Sequence, residues 1–338
     1  MKTLRFAVIG TGFWSAYQIP AWKEVAGMEL VAVYNRTRSK ATAIAQQFGI
    51  PAVYDNAEEL LQKESPDFID IITNVETHPF FTRMAAEKGI PVICQKPMAD
   101  SLEQARKMTA FCAGRKVPFY IHENFRWQAP IRALKVAMQT GVIGIPFKAR
   151  VSFCSGFPVF DNQPALAELP HFILTDIGSH ILDICRFLFG EAKNLFCLTK
   201  SVNPAIKGED VANVLMEMQS GLHCFAEMSY ASVPEKESFP QTLILVEGDK
   251  GSLHLTTDFV LKTTTRSGTT ETVVQPPVYQ WADPAYSLVH ASIVDCNRDI
   301  ANGLRGDVCE TTGIDNLKTT ELVWAAYESA AAGKVILI

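Results

Sequence analysis

Residues 6–9 are a short apolar run, Phe-Ala-Val-Ile, that leads directly into Gly10-Thr11-Gly12-Phe13-Trp14-Ser15. Few architectures accommodate a buried strand that ends on two closely spaced glycines and hands over to a helical pattern. The first glycine permits a tight turn, and the second lets a pyrophosphate approach the backbone. The helix that follows offers free N–H groups at its start, which favours an anion there. Ser15 fills the third position, where helix–strand packing needs a small residue. A second apolar run follows about twenty residues on, the context that turns a weak glycine motif into a dinucleotide fingerprint.

The same grammar repeats through the first 120 or so residues. Strand candidates at 6–9, 30–34, 68–72, 91–94 and 118–121 alternate with helical stretches at 14–26, 38–48, 78–88 and 102–113. A further short strand is expected at 52–54 and a short helix at 57–62. The strand runs are nearly continuous in apolar residues, as in strands covered on both faces. Such alternation builds a doubly wound parallel sheet. Beyond residue 125 the pattern changes. A helix at 131–140 stops at Gly141, and extended segments follow at 147–155, 194–201, 211–219, 222–230, 242–247, 252–256, 260–265 and 271–274. Several alternate with period two, and Ser220-Gly221 reads as a tight hairpin. One helix, 177–189, interrupts them, and two, 287–302 and 315–332, close the chain. The expected fold class is an α/β Rossmann domain over 1–124, then an α+β domain with a large, mostly antiparallel sheet over 125–338.

Length and composition agree with this division. A chain of 338 residues, 48% of them hydrophobic, suits two domains with real cores. The net charge is −5 and no basic block stands out, which argues against a nucleic-acid partner. No apolar run reaches the ~18 residues of a membrane-spanning helix, and the N-terminal run ends in a glycine turn rather than a signal-type cleavage segment. Eight cysteines are scattered without a CxxC pair. The expectation is free thiols in a reducing cytoplasm and no metal site, because zinc-ligand spacing is absent.

Candidate chemistry sits where strands end. After the second strand, Asn35 stands where an acid would hold ribose hydroxyls. Its neighbours Arg36 and Arg38 would suit a 2′-phosphate, yet Asn35 can still bond a ribose, Arg36 can lie over the adenine, and Arg38 can be a solvated helix-start charge. NAD and NADP both stay open on these residues. Thr73 and Asn74 follow a later strand, at the edge where open sheets bind ligands. His78 starts the next helix, as a cofactor contact or as a cap. Gln95-Lys96-Pro97 closes a buried strand. Lysine is costly to bury, so Lys96 is expected to project into a polar cleft, started in an extended conformation by Pro97. There it can donate or accept a proton. If a helix begins near Asp176, then Asp176 and His180 share one face. An imidazole suits removal of a hydroxyl proton as hydride leaves the same carbon. Asp183, one turn on, would pair with Arg186. Arg126, Trp127 and Gln128 offer a donor fork, a ring face and an amide, a hydroxyl-reading mixture or the start of a helix.

In their order and spacing, the glycine loop, Thr73-Asn74 before His78, Lys96-Pro97, Asn124-Phe125-Arg126 and Asp176-x-Gly178-x-His180 resemble one family. It is the glucose–fructose oxidoreductase, inositol dehydrogenase and rhizopine-catabolism (Gfo/Idh/MocA) family. The resemblance covers the whole chain, including the final helix from Asp315-Asn316-Leu317 to Ala330. It implies that Lys96 and His180 are catalytic and that Asp176 positions the substrate. It also implies a dinucleotide lined by Gly10, Gly12, Phe13, Trp14, Asn35, Arg36, Thr73, Asn74, His78, Gln95, Lys96 and Asn124. A substrate would touch Lys96, Asn124, Arg126, Gln163, Asp176 and His180. Three positions depart from the family pattern: Ser15 for a glycine, Asn35 for an acid, and Gln95 for the frequent Glu. Ile93–Met98, His122–Gln128 and Phe160–Pro164 look like the branch that oxidises D-apiose with NAD. The implied substrate is a small neutral sugar, first D-apiose going to its lactone or apionate, with another aldose or an inositol-like polyol as the alternative. A non-catalytic NAD(P)-binding regulator is the competing class. A homo-oligomer, dimer or tetramer, is expected through an exposed sheet face.

Overall fold

The computed structural model describes residues 2–338. In its first unit, β1 (Leu4–Ile9), β2 (Met28–Tyr34), β3 (Ala52–Tyr54), β4 (Phe68–Ile71), β5 (Val92–Gln95) and β6 (Phe119–His122) alternate with helices. These are α1 (Ser15–Lys23), α2 (Arg38–Phe48), α3 (Ala57–Glu64), α4 (His78–Glu87) and α5 (Leu102–Gly114). The strands make one parallel sheet in the order β3-β2-β1-β4-β5-β6. Reversal of strand order next to β1 creates the crevice in which such sheets bind ligands. Alternate strand residues serve opposite faces. Ala7, Ile9, Ile69, Ile71, Val92 and Cys94 join one apolar cluster. Phe6 and Phe68 face the other way, where Trp22 of α1 packs on both rings.

The second unit opens with α6 (Ala129–Gln139) and holds the short α7 (Val159–Asn162) and the long α8 (Ile173–Phe189). Its strands are β7 (Pro146–Cys154), β8 (Ala192–Lys200), β9 (Val211–Met218), β10 (His223–Ser229), β11 (Leu243–Gly248), β12 (Gly251–Thr256), β13 (Val260–Thr265) and β14 (Gly268–Val273). They run in the order β14-β13-β12-β11-β7-β10-β9-β8, antiparallel except where β10 lies parallel to β7. One face of the sheet is buried and α8 packs on its middle strands. On the other face Phe196, Leu215 and Phe225 stand side by side across β8, β9 and β10. Leu215 and Phe225 are exposed by 42% and 43% there, and Leu198 by 58%.

The chain then returns to the first unit. Residues 278–320 group with 1–124, so the second unit is 125–277 and 321–338 rather than the unbroken 125–338 of the sequence reading. Packing explains the return. Ile293 and Val294 of α9 (Ser287–Leu304) close an apolar cluster with Ala21 of α1, bordered by Trp14, Tyr17, Tyr279 and Trp281. The first residues of α10 (Gly313–Ala332) follow a bridge between Tyr120 and Thr312, and Leu317 packs on the sheet's apolar core. A last strand, β15 (Ile336–Leu337), joins the second sheet beside β8. All eight cysteines are free thiols. Among the described residues, no helix is long and apolar enough to cross a membrane, and no three potential metal ligands cluster.

Candidate active site

The glycine loop is shaped by the loop after β4. Gly10 has φ +108°, and a Cβ there would lie 2.5 Å from the Ile72 carbonyl oxygen, so glycine is required by the fold itself. Gly12 differs. An added Cβ would meet only the Ile72 oxygen at 3.7 Å, an ordinary contact. The fold tolerates a side chain at 12, so close approach of a ligand is what calls for glycine. Ser15 does more than fill the third position. It is buried, and its hydroxyl donates to the Gly12 carbonyl at 2.7 Å, tying the loop to α1. These features fit a dinucleotide pyrophosphate.

A cleft of about 320 Å3 opens beside this loop, lined by Gly10, Gly12, Asn35, Arg36, Lys40, Thr73 and Asn74 among others. Asn35 donates through Nδ2 to the Thr11 hydroxyl and accepts from the Thr37 N–H at 2.8 Å. It therefore fastens the cleft wall as well as lining it. Arg38 turns away to Asp55, 3.4 Å distant, as a surface charge. Lys40 lines the cleft in its place. Lys40, in the first turn of α2, was not singled out from the sequence. Phe13 is 47% exposed, whereas Trp14 packs toward the cluster under α9.

Two expected contacts, His78 and Asn124, act as braces. His78 is 1% exposed and has both ring nitrogens on backbone carbonyls. Nδ1 lies 3.2 Å from Pro97 O and 3.3 Å from Met98 O, and Nε2 lies 3.1 Å from Thr73 O. It clamps the loop after β4 to the loop after β5 instead of lining the cleft. Burial pushes its pKa down, against the pull of those carbonyls. Asn124 turns its amide nitrogen to α9, donating to Ser292 Oγ at 2.7 Å. Gln95 is buried at the end of β5 and donates to Gln18 Oε1 at 2.6 Å. Lys96 follows, half-buried, before a cis peptide bond to Pro97.

In the second unit, α8 begins at Ile173, earlier than the sequence pattern suggests, so Asp176 sits in its first turn. The Glu209 carbonyl accepts from the Ile173 N–H at 3.2 Å and its carboxylate from the Tyr327 hydroxyl at 2.6 Å, anchoring this helix start. Gly178 lies between Asp176 and His180, and an added Cβ would stand 3.3 Å from Met228 Sδ. Its small size seats α8 on β10. His180 is buried, with its ring stacked on Phe125 at 3.8 Å and 8°. That contact holds the imidazole plane in one orientation. Tyr230 points its hydroxyl at Asp176 Oδ2, 3.5 Å away, and stacks on Phe172. Burial, then the Asp176 charge, pushes its phenol pKa well above the ordinary value, so it remains a donor. Its only sequence signal was a tyrosine closing a strand run. Gln163 caps α7, half-buried.

Arg126 corrects an expectation. Its guanidinium is buried and grips Asp183 with two bonds, Nε at 2.7 Å and a terminal nitrogen at 2.5 Å. Arg186 lies 3.9 Å from the same carboxylate and makes its close pair with Glu191 instead. Trp127 lies under the Arg132 guanidinium at 3.8 Å. The segment 125–127 is thus a single turn leading into α6, the second of its two sequence readings.

Comparison with known proteins agrees with this geometry. Residues 4–123 match the oxidoreductase family with an NAD-binding Rossmann fold (GFO_IDH_MocA), and 131–254 match the GFO/IDH/MocA C-terminal domain. The chain belongs to the Gfo/Idh/MocA oxidoreductases. As a member of that family it is an NAD-binding enzyme. It is 43% identical to a D-apiose dehydrogenase of Paraburkholderia graminis over 99% of this chain and 90% of the other. It is 42% identical to one of Rhizobium rhizogenes over 99% and 98%. A crystal structure of an Agrobacterium radiobacter oxidoreductase with NAD+, L-tartaric acid and magnesium superposes with a TM-score of 0.97. That protein is 41% identical, over 99% of this chain and 98% of the other.

Proposed function

We propose that this Gfo/Idh/MocA enzyme is a cytoplasmic, NAD-dependent sugar dehydrogenase that oxidises D-apiose to its lactone. The observation that carries the substrate is the identity of 42–43% with two D-apiose dehydrogenases over 99% of the chain. Another aldose or an inositol-like polyol is the alternative.

NAD, when bound, supplies the acceptor for the hydride leaving the substrate carbon. Gly10, Gly12, Phe13, Arg36, Thr73 and Asn74 would hold it, with Asn35 shaping the wall. The chain's own part is to orient the sugar and move one proton. His180, its ring plane set by Phe125, takes the hydroxyl proton. In this reading Lys96 polarises a substrate oxygen. Asp176, receiving the Tyr230 hydroxyl, holds a substrate hydroxyl from the same helix face as His180. Asp176, Tyr230 and His180 read hydroxyl positions, and an unmatched partner costs roughly 1–3 kcal/mol.

Discrimination should therefore be about 10- to 100-fold per misplaced hydroxyl. The test compares kcat/KM for D-apiose, D-xylose, D-glucose and myo-inositol with NAD. D-apiose is expected to lead. A tenfold advantage for myo-inositol or a hexose would defeat the substrate assignment.

A further inference from the structure

Four polar side chains cross the interior of the first unit from the middle of the sheet to its ligand-binding edge. Asp70 sits in β4, paired between Val8 and Ile93, and is fully buried. Its Oδ2 accepts from the Trp22 indole at 2.8 Å and from Gln18 Nε2 at 2.9 Å. Gln18 and Trp22 are both 1% exposed on α1. Gln18 Oε1 in turn accepts from Gln95 Nε2 at 2.6 Å. Gln95 lies two residues beyond Ile93, so the chain climbs one strand step and ends beside Lys96.

The direction of these bonds is set from the buried end. An indole N–H can only donate, and burial pushes the Asp70 carboxyl up to about 6, above which it is a carboxylate that only accepts. Gln18 must therefore turn its NH2 toward Asp70. That leaves its oxygen facing Gln95, which must then turn its own NH2 inward. The far end of the Gln95 amide is consequently oxygen. Among the described residues, none donates to that oxygen.

We infer that Asp70, acting through Gln18, is a positioning residue that fixes the Gln95 carbonyl oxygen as an acceptor for a hydroxyl or amide N–H of the bound dinucleotide. The inference rests on the placement of Gln95 beside the cofactor. Without the relay, an amide at position 95 can flip and present its nitrogen instead. With it, a glutamine offers the one-sided acceptor that a carboxylate would offer, without a second negative charge near Asp70.

The test is calorimetric titration of NAD at pH 7.5 into the unaltered protein, Gln95→Met, Gln18→Met and the double variant. Gln95→Met is expected to weaken NAD binding about tenfold, and Gln18→Met about five- to tenfold. The double variant should bind as Gln95→Met does, because Gln18 acts only through Gln95. Losses that multiply in the double variant overturn the proposal, since a merely structural role for Gln18 would be independent of residue 95. Should Gln18→Met fail to fold, Gln95→Met decides alone, and unaltered affinity there overturns it. No binding by the unaltered protein would overturn the cofactor reading as well, so the two failures are distinguishable.

Discussion

Asp70 holds two donors on one oxygen and, among the described residues, none on the other. Burial raises its pKa from 3.8 to about 6, against the two donated bonds. Between those values the folded protein binds a proton that the unfolded chain does not, so stability falls as pH rises through this window. The shift corresponds to roughly 3 kcal/mol. Asp70→Asn should therefore gain stability relative to the unaltered protein between pH 4 and pH 7, measured by urea denaturation. A difference that stays constant with pH would contradict the buried-carboxylate reading. At this scale the sequence revealed residue types but not their partners. His78, Asn124 and Arg126 were legible as polar groups near strand and helix ends, where ligands bind. What distinguishes brace from contact is a partner far along the chain, the Pro97 carbonyl for His78, the Ser292 hydroxyl for Asn124 and the Asp183 carboxylate for Arg126, and no local spacing reveals it.

Elements were more legible than contacts, because periodicity is local. α2 and β13 fall where the sequence pattern puts them, and most other boundaries shift by one or two residues. The start of α8 was missed by a turn because Phe172, Ile173 and Leu174 read as an apolar run without a capping residue, while Glu209 supplies its hydrogen bonds from afar. The middle of α8 is anchored to the turn at 125–127 by the buried Arg126–Asp183 pair. Removing one partner of such a pair leaves a buried charge and costs about 3–5 kcal/mol. Arg126→Met should lower Tm by several degrees, read by calorimetric scanning. An unchanged Tm with a raised KM would restore Arg126 to the substrate pocket.

At the scale of the whole molecule, the open face of the second sheet presents Leu198, Leu215 and Phe225 as a contiguous apolar area. Such a face on a regular sheet suits an isologous contact with a second copy. Light scattering is expected to give a dimer or tetramer, and Leu215→Glu with Phe225→Glu to shift it toward monomer; a monomer before substitution contradicts this reading. The chain's return through α9 was not legible, because a helix pattern does not say which unit's apolar face will receive Ile293 and Val294. The proposed reaction is oxidation of a sugar hydroxyl with NAD, with His180 moving the proton. Its most direct test is the rate of NADH formation from D-apiose in His180→Ala, measured beside the NAD affinity of the same variant. General acid–base help is worth ~100- to 10,000-fold, so kcat should fall by about that range while NAD affinity stays within about twofold. Unchanged kcat in the folded variant would contradict the account.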